Sequence, residues 1–382
     1  MKGRVCNFGL YDESIPDIQF DASGKSNYAV LFENLNKAYP YGKEGIDFWE
    51  STVEKIKKCG KGKRYDCVIG ISGGTDSCYL LHLAKQWGLR PLAVNLDNGW
   101  NSNISVQNIK KLTQALDVDL ITYVVDYEEI KDLIKCYMKA GLAWIDLPTD
   151  LAIKSILYKI ASKENIKYLM RGNDFRSEGS QPKDWTYGDG KQLSAIHKQF
   201  GSVQLKTFPN YTISNLLYYA FVKQIKSVYP LYYLEYDKQS AKKLLTEKYD
   251  WEDYGGHHHE NIFTKFAMSY WLYVKFGIDK RIITYSAKVL NKKRTREEAL
   301  IELSKMPYNV DEIDDLIAYI CKKLDLSKSE FDDLITRPNK TFRDYPSYDH
   351  LLQKFDKLSR WFIPKLFLHR PQSMYRKDII GQ

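Results

Sequence analysis

The stretch Cys67-Val68-Ile69-Gly70-Ile71-Ser72-Gly73-Gly74-Thr75-Asp76-Ser77 decides how this chain folds. An apolar run suited to one buried strand enters two adjacent glycines set among three hydroxyl side chains. Cys78-Tyr79-Leu80-Leu81-His82-Leu83-Ala84 then resumes apolar residues at helical spacing, so a helix starts just past the turn. Strand, glycine turn and helix N-terminus in that order make an anion site. Glycine lets the backbone approach an oxyanion closely, hydroxyls donate, and the first helical N–H groups are unpaired at the positive end of the dipole. The implied anion is a nucleotide phosphate. Two other phosphate loops do not fit: no lysine follows the glycines as the Walker pattern requires, and adjacent glycines are not G-x-G-x-x-G.

Outward from this loop the pattern alternates. Strands are expected at Cys67–Ile71, Pro91–Leu96, Leu120–Val125 and Tyr168–Arg171. Helices are expected at Ser77–Trp87, Val106–Leu116, Ile130–Ala140 and Leu151–Lys163. Such alternation predicts an α/β fold with a doubly wound parallel sheet and ligands at the strand C-terminal ends. Short helical pieces are expected before it, at Val30–Phe32 and Trp49–Ile56. After Pro209 the alternation stops, and Asn215–Val228, Lys238–Lys248, Asn261–Phe276, Arg296–Ser304, Val310–Leu324 and Lys328–Thr336 read as helices. Thr295 with Glu298 three residues on is a capping box. The expected organisation is an N-terminal segment at 1–60, a nucleotide domain at 61–210 and a mainly helical substrate-binding domain at 211–382.

Composition narrows the class. The chain has 382 residues, 44% hydrophobic and 27% charged, ordinary for a globular protein of more than one region. Six scattered cysteines without a C-x-x-C pair give no disulfide framework. With no secretory h-region and no apolar run of about 18 residues, a cytoplasmic protein is expected. The net charge of +9 is spread along the chain rather than gathered into a stripe, so no nucleic acid is expected as partner.

Three further groups carry chemistry. Asn95-Leu96-Asp97-Asn98-Gly99 ends the second strand, where Asp97 can accept from a nucleotide or simply make an Asx turn. Arg171-Gly172-Asn173-Asp174 ends the fourth, where Gly172 permits close backbone approach. Asp174 and Glu178, with Asp76, are candidate Mg²⁺ ligands, since hard cations take carboxylate oxygens. Tyr254-Gly255-Gly256-His257-His258-His259-Glu260 precedes an aromatic helix. Consecutive helical residues point about 100° apart, so the three histidines cannot all face one ion from a helix. Substrate contact or acid–base work beside the Gly-Gly pair suits them better.

The string Ser72-Gly73-Gly74-Thr75-Asp76-Ser77 resembles the pyrophosphate loop (PP-loop) of the ATP pyrophosphatases, which split ATP between its α- and β-phosphates. A narrower resemblance comes from Trp251–Phe266, Lys275–Arg281 and Thr295–Leu300. These blocks are similar to those of the N-acetyl sugar amidotransferases of bacterial surface-glycan pathways, including lipopolysaccharide (LPS) O-antigen, and the likeness runs from about residue 6 to residue 305. It implies ATP and Mg²⁺ as cofactors and a nucleotide-activated acetamido sugar as substrate, whose acetamido group becomes acetamidino. The ATP site would be Ser72 to Ser77 with Asp97, Gly172 and Asn173. Asp76, Lys265 and His258 would be catalytic, and His257, His259, Glu260, Arg281 and Arg296 would hold the sugar. Lys280 is a further candidate for phosphate or carboxylate. Each of these cations has the plainer reading of helix-surface charge.

The resemblance also implies partners. Lys2, not cysteine, follows Met1, and no Gly-x-Cys-x-Gly elbow occurs, so ammonia would come from a glutaminase subunit and a cyclase-like ammonia-channel subunit. Related chains open with two Cys-x-x-Cys pairs; here Cys6 alone remains, so no zinc is expected. One alternative is a tRNA-modifying enzyme of the thiolation or lysidine type on the same loop. Thiolation needs a reactive cysteine, and Cys67 and Cys78 read as packing. A second alternative is a binding module without activity, against which the intact loop argues.

Overall fold

The computed structural model describes residues 3–256, 259–354 and 372–381. Its centre is a five-stranded sheet of β1 (Cys67–Gly70), β2 (Pro91–Asp97), β3 (Leu120–Val124), β4 (Tyr168–Met170) and β5 (Lys226–Val228). The strands are all parallel, in the order β3-β2-β1-β4-β5. The chain winds from β1 outward to β3, then returns to the other side of β1 with β4, so the switch point of this doubly wound sheet lies between β1 and β4.

Side-chain alternation assigns the two faces. Val68, Leu92, Val94 and Leu169 enter one core, while Cys67, Ile69, Ala93, Tyr168 and Met170 enter the other. Helices α5 (Tyr127–Lys139) and α6 (Leu147–Lys163) cover the first face with Ile130, Leu133, Ile156 and Leu157. Helices α1 (Asn27–Ala38), α2 (Lys43–Gly60), α3 (Thr75–Gln86) and α4 (Asn103–Ala115) contribute Leu35, Ile56, Leu80 and Ile109 to the second. Asp126 caps α5 by accepting from the Glu128 and Glu129 N–H groups.

The four expected strands form within one residue of their expected ends. The fifth was not expected. Residues 215–228, read as one helix, are a short helix (Ile213–Leu217), a π turn (Tyr218–Val222) and β5. Three residues are too few for a periodic signal; pairing with β4 makes the strand. The sheet therefore reaches past residue 210, and the helical region contributes its edge.

Farther on, the helix from Ile262 to Phe276 widens into a π turn at Ala267–Trp271. The capping box at Thr295 is formed, and the helices Arg296–Ser304 and Lys328–Thr336 have their expected ends. The N-terminal segment is held by packing. Cys6 is buried, its sulfur accepts the Ser26 N–H at 3.3 Å, and Tyr11 and Tyr28 pack with it in the second core. Among the described residues no helix is long and apolar enough to cross a membrane.

Truncating Leu169→Ala, buried between β1 and α6, should cost about 2–5 kcal/mol of unfolding free energy. Val124→Thr on the exposed edge strand should change it by less than about 0.5 kcal/mol. Urea midpoints of the two variants check the difference.

Candidate functional site

The loop after β1 is shaped by one glycine. Gly73 has φ +79°, and a Cβ there would lie 2.3 Å from the Ser105 carbonyl oxygen, so only glycine fits. Its own carbonyl accepts from Trp251 Nε1 at 3.0 Å and from Asn108 Nδ2 at 3.4 Å. The loop N–H groups then face hydroxyl oxygens. Ser72 donates to Ser77 Oγ at 3.2 Å, Gly74 to Ser72 Oγ at 3.3 Å, and Thr75 to the Tyr254 hydroxyl at 3.1 Å. A phosphate oxygen can take each of these positions. Gly172, at the end of β4, passes so near the start of α3 that a Cβ would meet the Asp76 carbonyl oxygen at 3.0 Å.

Two cavities open here. The first, about 490 Å³, lies at the switch point, floored by Gly70 to Ser72, Val94 to Leu96 and Met170 to Asn173. Glu260, Asn261 and Thr264 close it from the helical region. The second, about 450 Å³, is basic. Lys238, Lys242, Lys265, Lys288 and Arg294 line it, and Asp174 and Glu178 are among its acids. Met268 and Lys280 belong to both walls.

Electrostatics are strongest at this junction. Burial pushes Lys280 down to about 8, partly opposed by Asp150, Glu178 and Asp146, and its ammonium lies 4.3 Å from the centre of the Trp144 ring. Burial, then Lys238 and Arg294, push Lys288 down to about 8. Burial likewise lifts the Asp174 carboxyl to about 6, against the pull of its cap bond from the Arg176 N–H. Arg176 anchors that turn by donating to Asn36 Oδ1 at 2.6 Å and to the Tyr232 and Tyr39 carbonyls.

The sequence-derived site residues fall into several groups. Ser72, Gly172 and Asn173 border the first cavity, and Gly73, Gly74, Thr75 and Ser77 complete its loop. Glu260, expected at the sugar, instead lies in the first cavity, its Oε1 3.5 Å from Ser72 Oγ. Asp97 does not line the cavity. Its carboxylate accepts the Gly99 N–H at 2.9 Å, the Asx-turn alternative, while Asn95, Leu96 and Asn98 face inward. Lys265 lines the basic cavity, 3.9 Å from Glu312. His259 lines it too, with Nδ1 accepting the Gly256 N–H at 3.0 Å. His257 and His258 lie outside the described residues.

Two arginines have structural roles. Arg281 borders the cavity, but its guanidinium is taken by Asp279 at 2.6 Å and by the carbonyls of Glu302 and Lys305. Arg296 donates to the carbonyls of Cys6, at 2.9 Å, and Gly9, fastening the N-terminal segment.

The expected Mg²⁺ set does not assemble. Asp76 is held by the Tyr236 hydroxyl and by Lys238 Nζ at 3.1 Å, while Asp174 caps its own turn. Among the described residues no three His, Cys, Asp or Glu side chains form a metal-holding group. Burial pulls Lys238 down, but Asp76, Tyr254 and Glu178 outweigh it and keep the ammonium charged. Sequence reading missed Tyr236 and Lys238, which arrive from about 160 residues away on a segment without a motif.

Residues 260–359 match the family model for the C-terminal domain of WbpG-like LPS biosynthesis proteins. Among curated proteins, the chain is 28% identical over 126 residues to an uncharacterised protein of Methanocaldococcus jannaschii, covering 33% of this chain and 43% of that one. It is 37% identical over 73 residues to a tRNA(Ile)-lysidine synthase of Chlamydia pneumoniae, covering 18% and 22%. The chain thus spans less than half the length of these relatives. Among solved structures, it is similar to an NH3-dependent NAD synthetase of Campylobacter jejuni, at 12% identity and TM-score 0.33, covering 82% of this chain and 98% of that one. It is also similar to a tRNA thiolase of Methanococcus maripaludis with its 4Fe-4S cluster, at 12% identity and TM-score 0.31, covering 79% and 89%.

Gly73→Ala should lower the melting temperature and abolish ATP binding, because the loop must move to admit the methyl; calorimetric titration with ATP reads the loss. Lys280 carries its charge below about pH 8 and sheds it above. ATP affinity should therefore fall as pH rises past about 8, and titrations of Lys280→Met across that range should lack the fall.

Proposed function

From a chain whose residues 260–359 belong to the WbpG-like family of LPS biosynthesis proteins, we propose an ATP-dependent carbon–nitrogen ligase that turns an acetamido group of a nucleotide-activated sugar into an acetamidino group. The observation that carries this reading is the shared wall. A cavity over a PP-loop and a basic cavity built largely by the helical region meet at Met268 and Lys280, so an ATP α-phosphate and a sugar amide can come into contact there.

The chemistry follows from what an amide lacks. Its oxygen is a poor leaving group. The acetamido oxygen attacks the α-phosphorus, the bond to the β-phosphate oxygen breaks, and pyrophosphate departs. Ammonia adds to the imidate carbon, and AMP leaves with the former amide oxygen. The nitrogen sheds its surplus protons and the amidine remains. The loop N–H groups and the N-terminus of α3 hold charge on the leaving pyrophosphate. Lys238, whose charge Asp76 sustains, stands beside the loop for the same anion. Asp76 acts by positioning Lys238 and Tyr236. Mg²⁺ would arrive on the triphosphate, since Asp76, Asp174 and Glu178 form no cage for it. Lys265 and His259 in the basic cavity are proposed sugar contacts, and ammonia is proposed to come from a glutaminase with a cyclase-like channel subunit.

Against the sulfur-transfer alternative stand the two thiols that flank the loop, Cys67 and Cys78. Burial pushes the thiols of Cys67 and Cys78 beside the loop far up, and that of Cys136 to about 12, which removes the thiolate that transfer needs.

Purified protein given ATP, ammonium and a nucleotide-linked diacetamido sugar should release pyrophosphate and yield a product lighter by the difference between O and NH. Asp76→Ala should abolish the release. Pyrophosphate formed only with tRNA overturns the sugar reading.

A further inference from the structure

Beyond the C-terminal ends of β4 and β5 lies a third cavity of about 340 Å³, next to the nucleotide cavity and outside the proposed chemistry. Lys154 of α6, Arg171 after β4 and Arg376 of the helix Gln372–Ile380 all line it. No carboxylate does among the described residues. Burial, then the neighbouring Arg171, push the Lys154 ammonium down to about 8. Phenols of Tyr229, Tyr158 and Tyr211 surround Arg171, and its Nε donates to Ser227 Oγ at 3.3 Å. Arg376 Nε and Gln372 Nε2 are buried without a hydrogen-bond partner among the described residues.

Lys154 and Arg171 repel one another here with no carboxylate among the described lining residues, and burial of Arg376 adds to the cost, because desolvation and like-charge repulsion are both unfavourable. Several other buried cations of this chain pair with acids: Lys183 with Asp349, Lys238 with Asp76 and Arg281 with Asp279. We propose that this cavity is a second anion site that takes a phosphate-class ligand between Lys154, Arg171 and Arg376. Arginine forks and a lysine point charge match the tetrahedral oxygens of such an anion, and the unpartnered Nε and amide nitrogen supply further donors. Tyr158 and Tyr229 line the same cavity. The anion can be free, or the diphosphate of a nucleoside diphosphate.

The test fills the loop first. Protein saturated with α,β-methylene-ATP is titrated calorimetrically with inorganic pyrophosphate and, in parallel, with uridine diphosphate. A binding event should remain in the wild type. Lys154→Met and Arg376→Met should each weaken it tenfold or more without loss of the ATP analogue, and Lys154→Arg should retain it. Without ligand, Lys154→Met should melt no lower than the wild type, because a repelled charge is gone. Equal affinities assign the free anion, and tighter uridine diphosphate assigns the nucleotide. No binding of either probe at millimolar concentration, or affinity unchanged in the Met variants, overturns the proposal.

Discussion

The Gly73 carbonyl is the contact on which the rest of the site depends. Its oxygen is held by the Trp251 indole N–H, from 178 residues farther along the chain, and by Asn108 of α4. That grip fixes the left-handed turn, turns the loop N–H groups toward the cavity and brings Tyr254 and Glu260 over them. A backbone oxygen that would otherwise face water thus joins the helical region to the sheet. The adjoining cavities follow from this join, since Met268 and Lys280 reach the floor of the first cavity only while the helices lie against it.

What the sequence disclosed and what it hid divide along physical lines. Strands β1 to β4 and the loop were legible because an apolar run, a glycine pair and the resumption of helical spacing are local signals. The helix Arg296–Ser304 was legible for the same reason, opening on the capping box at Thr295; the box that opens Lys328–Thr336 at Ser327 was not read in the sequence. Strand β5 was not, because Lys226-Ser227-Val228 becomes a strand only by pairing with β4. Asp97 reads as a nucleotide contact with an Asx turn as the alternative, and in the fold its carboxylate accepts the Gly99 N–H. Arg281 and Arg296 read as ligand cations; in the fold carbonyl oxygens and Asp279 also hold them, and those partners come from the folded chain rather than from any motif.

The N-terminal segment is held by the fold itself. Cys6 is a small buried acceptor, and Arg296 fastens the Cys6 and Gly9 carbonyls to the helical region.

The π turn at Ala267–Trp271 has a consequence for how one helix serves two tasks. A π turn holds one residue more than an α turn, so the segments on either side are out of phase by about 100°. Before the turn, Thr264 and Lys265 face the cavities, as does Met268 inside it. After it, Leu272 enters the core, and Lys275 is spent on the carbonyls of Ile335 and Arg337. The single surplus residue works as a phase shifter: the ligand-facing half can change its side chains without turning the anchoring half away from its core.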